Sequence, residues 1–187
     1  MDTKEQNSFS SVLSVNPYNN SYYTSVSSFI NQAKSPEFSK EQFTISYLNT
    51  NNFITAQIAV SKNIPDEDLF DTINTKAYDD LGLDQAIEYS LQYIESFESL
   101  DEDNRYFHVF LIDPLTLSQT FTPTIEKINY IDTIIPVPLL LKSLYVKEII
   151  HSSGVHCFIY FQENDAFVTL YNDKEFLYTK SIKFSYK

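Results

Sequence analysis

Glycine is nearly missing from this chain of 187 residues, where only Gly82 and Gly154 occur, about 1% against an ordinary ~7%. Loops that cradle phosphate need glycine so that backbone N–H groups can close on the ligand. Composition therefore argues strongly against a Walker loop, a dinucleotide fingerprint or a working kinase-type phosphate clasp. There is a single cysteine, Cys157, which excludes a disulfide framework and fits a reducing compartment. Tryptophan is absent, and basic residues are few: 13 Lys and Arg stand against 25 Asp and Glu, for a net charge of -12. Such a balance argues against general nucleic-acid binding, which needs clustered Lys and Arg to neutralise phosphates. Long apolar runs are missing too. The most apolar stretch, residues 134–146, is broken by Pro136, Pro138 and Lys142 and falls short of the roughly 18–20 residues of a spanning helix. The first ten residues carry no apolar signal core, so a cytoplasmic location is expected.

What is present suits one medium domain or two small ones with a real core. Hydrophobic residues make up 43% and aromatics 16%, too much for intrinsic disorder. Charge is placed unevenly. Between Asp66 and Asp103 there are 13 acids and one base, Lys76, so this stretch carries the whole net charge and the remainder is neutral. One reading is a solvated face. The other is a docking surface for a basic partner, carried by Asp66, Glu67, Asp68, Asp71, Asp101, Glu102 and Asp103, because concentrated charge steers association. Lys174, Lys180, Lys183 and Lys187 make the end of the chain basic, as would suit the cytoplasmic side of a following membrane helix.

Along the chain, residues 1–10 read as a disordered N-terminus. Residues 9–15 and 22–30 read as strands of a hairpin around Asn16-Pro17-Tyr18-Asn19-Asn20, which is strong turn chemistry. Residues 32–41 read as a linker, and 43–47 and 53–60 as two more strands. Pro65 followed by Asp66, Glu67 and Asp68 predicts a helix start, with Ile73 and Ala77 on the buried stripe and Gly82 as its stop. Residues 87–94 fit a helical face, but Tyr89 and Tyr93 at alternate positions favour a strand. Residues 106–112 return as a strand, Asp113-Pro114 opens a helix, 129–135 form a short strand and 138–146 another helix. The last third is a meander of strands over 155–161, 166–171 and 176–184. The first of these is apolar on both faces, which predicts a central strand.

This order is carried by four segments. They are Ile58 through Pro65-Asp66-Glu67-Asp68 to Leu69, then Tyr106 to Asp113, then Tyr130 to Leu140 through Pro136 and Pro138, and last residues 155–184. Together they resemble the actin-like cytoplasmic proteins of type IV pilus and type II secretion machines, the PilM and GspL families, over most of the chain from about Val12 onward. The resemblance implies an α+β, actin-like (RNase H-like) fold with an inserted SHS2-type strand-helix-strand-strand subdomain. Residues 11–52 would be first-lobe strands, 53–113 the insertion, and 114–187 the remainder of the first lobe with a reduced second-lobe meander. It further implies a non-enzymatic scaffold at the inner face of the cytoplasmic membrane. Its partners would be an assembly ATPase and inner-membrane assembly proteins of a pilus, secretion or DNA-uptake machine. Homodimerisation is a further mode; no cofactor and no nucleic acid are implied. Alternatives within the superfamily are a cell-division protein of the FtsA type that binds ATP, or an active kinase or ATPase.

Against an active ATPase stand two departures. Such an enzyme is expected to carry an Asp-x-Gly turn after the first strand and an acidic, Gly-containing turn opening the second lobe. Here the first reads Val15-Asn16-Pro17-Tyr18 and the second Gln162-Glu163-Asn164-Asp165, both without glycine, which close phosphate approach requires. Other chemistry is thin. His156 and Cys157 are neighbours on a strand and point to opposite faces, so with His151 they make a poor zinc site. His108 reads as a packed histidine. Asp101 to Asn104 fails the calcium-loop pattern, since Arg105 stands at a ligand position and Ile112 at that of the closing Glu. No G-x-S-x-G elbow supports a serine nucleophile.

Overall fold

Alternating apolar and polar residues make strands wherever Asn, Pro or Gly punctuate them, and this chain is built mostly that way. The computed structural model describes residues 10–26, 29–34, 39–96, 102–151, 153–162 and 164–184. The first strands are β1 (Ser11–Asn16), β2 (Ser21–Val26), β3 (Phe29–Ala33), β4 (Gln42–Leu48) and β5 (Ile54–Ser61). Helix α1 (Leu69–Leu81) precedes β6 (Ser90–Ser96) and β7 (Asn104–Ile112). Then come α2 (Pro114–Ile128), β8 (Thr133–Pro136), α3 (Val137–Val146), β9 (Val155–Gln162), β10 (Asp165–Asn172) and β11 (Glu175–Lys183).

Two compact units result. The first comprises the described parts of Met1–Leu48 and Leu117–Ile135. Its mixed sheet has the order β3-β2-β1-β4-β8, with β1 antiparallel to β2 and parallel to β4. Leu13, Val15 and Tyr22 from one sheet face bury against Ile128 of α2. Just before β8, Asp132 clips onto β4: its carboxylate accepts the Thr44 N–H at 2.7 Å and its own N–H donates to the Thr44 carbonyl at 3.0 Å.

The second unit comprises the described parts of Asn49–Thr116 and Pro136–Lys187 and holds two three-stranded antiparallel sheets, β5-β7-β6 and β11-β10-β9. Strand β7 is central in its sheet, and its two faces feed two cores. Phe107, Val109 and Leu111 join Ile58 and Val60 against Leu69, Ile73 and Ala77 of α1. On the other face Phe110 meets Tyr145 of α3 and Tyr171 and Phe176 of the second sheet. Phe110 lies edge-on to Phe53 and Phe176 at 5.6 and 5.5 Å. The aromatic load thus supplies core volume that a chain without Trp must find elsewhere.

The α+β expectation holds, and α1 begins and ends where its caps predict. Pro65 leads into a 3-10 turn over Asp66–Asp68, and Gly82 closes the helix at φ 61° and ψ 40°. Three local expectations need correction. The single strand over 22–30 is two strands, β2 and β3, which pair with each other, so the expected linker gives up its first residues to β3. Strand β6 starts at Ser90, because the Tyr78 hydroxyl donates to the Ile87 carbonyl and accepts the Tyr89 N–H, removing both groups from the ladder. Strand β9 is an edge of its sheet; β10 is central.

Candidate functional site

The acidic stretch is assembled by α1 and the sheet beside it. Asp66, Glu67 and Asp68 occupy one 3-10 turn, where three carboxylates complement the positive end of the following helix. All three are exposed, as is Asp71 in the first turn of α1. The Asp68 carbonyl accepts the Thr72 hydroxyl at 2.8 Å and ties that turn to the helix. Glu102 and Asp103 lie exposed where the chain enters β7, and Asp101 lies outside the described residues.

The two acidic segments sit at the same end of the β5-β7-β6 sheet. Pairing of Ser61 with Asn104 brings their strand ends together, and the Lys62 N–H donates to the Asp103 carbonyl at 2.9 Å. Between them stands Arg105, a residue that sequence reasoning used only to dismiss a calcium loop. Its Nη1 donates to Asp66 at 2.8 Å, while Nε and Nη2 grip both Glu95 oxygens at 2.8 and 3.1 Å. The fork–fork geometry makes the Glu95 pair the stronger of the two. Hydrogen bonds donated to Glu95 first and Asp66 second push the guanidinium pKa further up, so it stays charged. Asp66 itself is 86% exposed, so its ion pair adds little stability. The result is an exposed acidic surface formed by Glu67, Asp68, Asp71 and Glu102, with Asp66 partly neutralised at its margin. The available signal for Arg105 was position: it is the first base after the run, on a strand that returns beside Pro65.

At the expected phosphate-clasp turn between β1 and β2, side chains occupy the backbone donors. Asn16 Oδ1 accepts the Tyr18 N–H at 3.0 Å, and Asn19 Oδ1 accepts the Ser21 N–H at 3.0 Å and its hydroxyl at 2.7 Å. Asn20 takes the left-handed conformation, φ 53°, that glycine would ordinarily fill. The Tyr18 ring packs on Tyr47 at 5.7 Å. At the other turn Glu163 lies outside the described residues. Gln162 there accepts a hydrogen bond from Asn49 at 2.5 Å, and Tyr160 also donates to Asn49.

Among the described residues no group of three or more His, Cys, Asp or Glu is placed to hold a metal ion. His156 shares a hydrogen bond with the Tyr145 hydroxyl at 2.9 Å, and Cys157 points away and is exposed. His108 lies half-buried with its ring edge-on to Phe176; burial, and then the Lys142 charge, lower its pKa. No helix among the described residues is long and apolar enough to cross a membrane.

No protein-family model matches the chain, and no curated protein matches it significantly. Solved structures do. The chain is similar to PilM in a PilM-PilN type IV pilus biogenesis complex at 9% identity and a TM-score of 0.59, over 94% of this chain and 61% of that one. It is also similar to the cytoplasmic domain of EpsL, an inner membrane component of the type II secretion system of Vibrio cholerae. That match has 9% identity and a TM-score of 0.56, over 93% of this chain and 71% of that one. A Bacteroides thetaiotaomicron protein with an actin-like ATPase fold and unknown function aligns at 9% identity over 98% of this chain and 74% of that one, with a TM-score of 0.44. The chain thus has the α+β fold of the PilM and EpsL structures, and spans less than two thirds of the PilM chain.

Proposed function

We propose that this chain is a non-enzymatic assembly module of a type IV pilus, type II secretion or DNA-uptake machine. It works at the inner face of the cytoplasmic membrane and links an assembly ATPase to inner-membrane components. The likeness in fold to PilM and EpsL supports the class of machine. The observation that carries the non-enzymatic part is the β1–β2 turn. Its Tyr18 and Ser21 N–H groups are held by Asn16 and Asn19, and no glycine lets the backbone approach a phosphate. The acidic surface of Glu67, Asp68, Asp71 and Glu102, bordered by Asp66 and Asp103, is the docking face for the basic side of the ATPase, and Asp101 is assigned to it from the sequence. Dense charge of one sign raises association rates and makes them salt-sensitive.

Two measurements test this reading. Thermal unfolding in millimolar Mg-ATP is expected to be unshifted, whereas a bound nucleotide would raise the apparent stability. A clear rise overturns the non-enzymatic assignment in favour of an ATP-binding protein of the FtsA type. Capture of the assembly ATPase by the chain at low salt is expected to be lost on reversing Asp66, Glu67 and Asp68 to Lys. Undiminished capture by that variant removes the acidic face from the interaction.

A further inference from the structure

The mixed sheet of the first unit ends in two edge strands, β3 and β8. They are built differently. Strand β8 is four residues long and finishes in Pro136, and shortness and proline both keep a sheet edge from recruiting another strand. Strand β3, Phe-Ile-Asn-Gln-Ala, has no proline, glycine or charged residue. Its pairing with β2 runs without a bulge from Tyr22–Ala33 to Val26–Phe29. Among the described residues β3 pairs with no strand but β2, so it presents a row of outward backbone N–H and C=O groups. Successive side chains point to opposite faces, and cross-strand partners share one. Phe29 therefore sits with Val26 on the face that carries Tyr22 and Ala33 to the core. Ile30 lies on the other face, diagonal to Tyr23. Phe29 is 75% exposed, Ile30 72%, Val26 50% and Tyr23 41%. An open apolar pair thus flanks the unprotected edge on each side of the sheet.

We infer that β3 accepts an extended segment of another protein, which joins this five-stranded sheet as a further strand. Three observations select that occupant. A helix or a second sheet laid on one face covers Phe29 or Ile30 but not both. An added strand lies in the plane, flanks both, and pairs the outward backbone groups. Neither β2 nor β3 contains a charged residue, so the matching segment is uncharged where it pairs. It carries two consecutive large apolar residues, one for each face, and its binding is insensitive to salt. A second copy of β3 complements poorly. Antiparallel pairing of all its residues across a two-fold axis sets Phe29 opposite Ala33 and Ile30 opposite Gln32, with Asn31 facing itself. So short a strand buries little area, which makes the contact weak and reversible. The inference stands independently of the assembly role and of the acidic surface, whose binding is salt-sensitive.

A random octapeptide display library, selected against the immobilised full chain at high salt, supplies the probe. A synthetic copy of the selected peptide is then titrated by fluorescence anisotropy. Selected sequences should carry adjacent β-branched or aromatic residues without charge between them. Their dissociation constant should change by less than about twofold between low and high salt, and bound peptide should slow amide exchange over residues 29–33. Methylating one alternate set of the peptide's backbone nitrogens, and not the other, should weaken binding about tenfold. Ile30→Lys in the chain should weaken it about as much and, being at an exposed position, should leave the circular dichroism and urea midpoint unchanged. Failure to select a binder overturns the inference. So does a binder that tolerates methylation of either set, or one that Ile30→Lys leaves undiminished. Self-association of the wild-type chain that Ile30→Lys abolishes gives the edge to a second copy. Binding seen only after removal of residues 1–9 gives it to the chain's own first segment, and either result also overturns the inference.

Discussion

The scarcity of glycine has a thermodynamic consequence at the β10–β11 turn. Asn172 and Glu175 close a two-residue loop whose central residues, Asp173 and Lys174, have φ of 46° and 76°. Two positive φ values in a two-residue hairpin define a type I′ turn, for which Asn-Gly or Asp-Gly is the favoured pair. Asp173 is anchored there, since its N–H donates to the Gly154 carbonyl at 3.1 Å and its carboxylate accepts the Gly154 N–H at 2.7 Å. Lys174 is thus the position to change. An L-residue in the left-handed region costs about 1–2 kcal/mol. Glycine removes that cost but enlarges the unfolded ensemble by about 0.4–1 kcal/mol. Lys174→Gly should therefore stabilise the hairpin by about 0.5–1 kcal/mol, slowing amide exchange across β10 and β11 roughly 2–5-fold where exchange reports the opening equilibrium. Lys174→Val, β-branched at φ 76°, should speed exchange there. Hydrogen exchange read by mass spectrometry on peptides spanning the hairpin decides it. Unchanged or faster exchange in the glycine variant refutes the strain argument.

Gly82 gives the reverse case: a Cβ there meets nothing within 4 Å, so Gly82→Ala should cost about 1 kcal/mol through backbone conformation alone. Gly82→Asn should cost less, and urea midpoints at constant slope would show it. Phe110→Ala empties the point where Phe53, Phe176 and Tyr145 converge; a loss of about 3–5 kcal/mol is expected, measured by urea unfolding. Asp113 accepts the Thr116 N–H at 2.8 Å and the Thr116 hydroxyl, and those bonds hold its carboxyl below the ordinary value. Because the folded value is the lower one, its contribution is complete above the unfolded value near ~4 and fades as pH falls through the folded value. Asp113→Ala should cost about 1 kcal/mol at neutral pH, and this difference should disappear in strong acid, read by urea unfolding across pH.

Features written in adjacent residues were the legible ones. The start of α1 follows from Pro65 and three acids, its end from Gly82, and the turn after β1 from Asn16-Pro17. What depended on distant residues was not legible. Tyr78 delays the start of β6 by taking backbone groups eleven or fewer positions away, which no local alternation reveals. The division of residues 22–30 into β2, which ends at Val26, and β3, which starts at Phe29, is not marked by any Gly, Pro, Asn or Asp. Helix α2 passes Pro123 although proline removes a backbone donor, and its far end is held by burial of Phe121, Thr124 and Ile128. At the acidic surface composition counted the charges correctly, yet only the β5–β7 and β6–β7 registers together set Arg105 between Asp66 and Glu95.

Under the proposed function the β1–β2 turn stands where an active ATPase of the resembled kind would hold phosphate. A turn that receives an anion keeps backbone N–H groups free and aimed outward, and the ligand satisfies them. With Asn16 and Asn19 closing on Tyr18 and Ser21, those donors are satisfied within the chain. An arriving phosphate would have to displace two side-chain bonds, each worth about 0.5–1.5 kcal/mol net, before making its own. It would also have to fit beside the Tyr18–Tyr47 ring pair and approach a chain of net charge -12. Each of these features opposes phosphate binding at this turn while leaving the strands of the sheet intact. The fold therefore persists through its aromatic and aliphatic cores, and under the proposed function its exposed acidic surface is what meets other proteins.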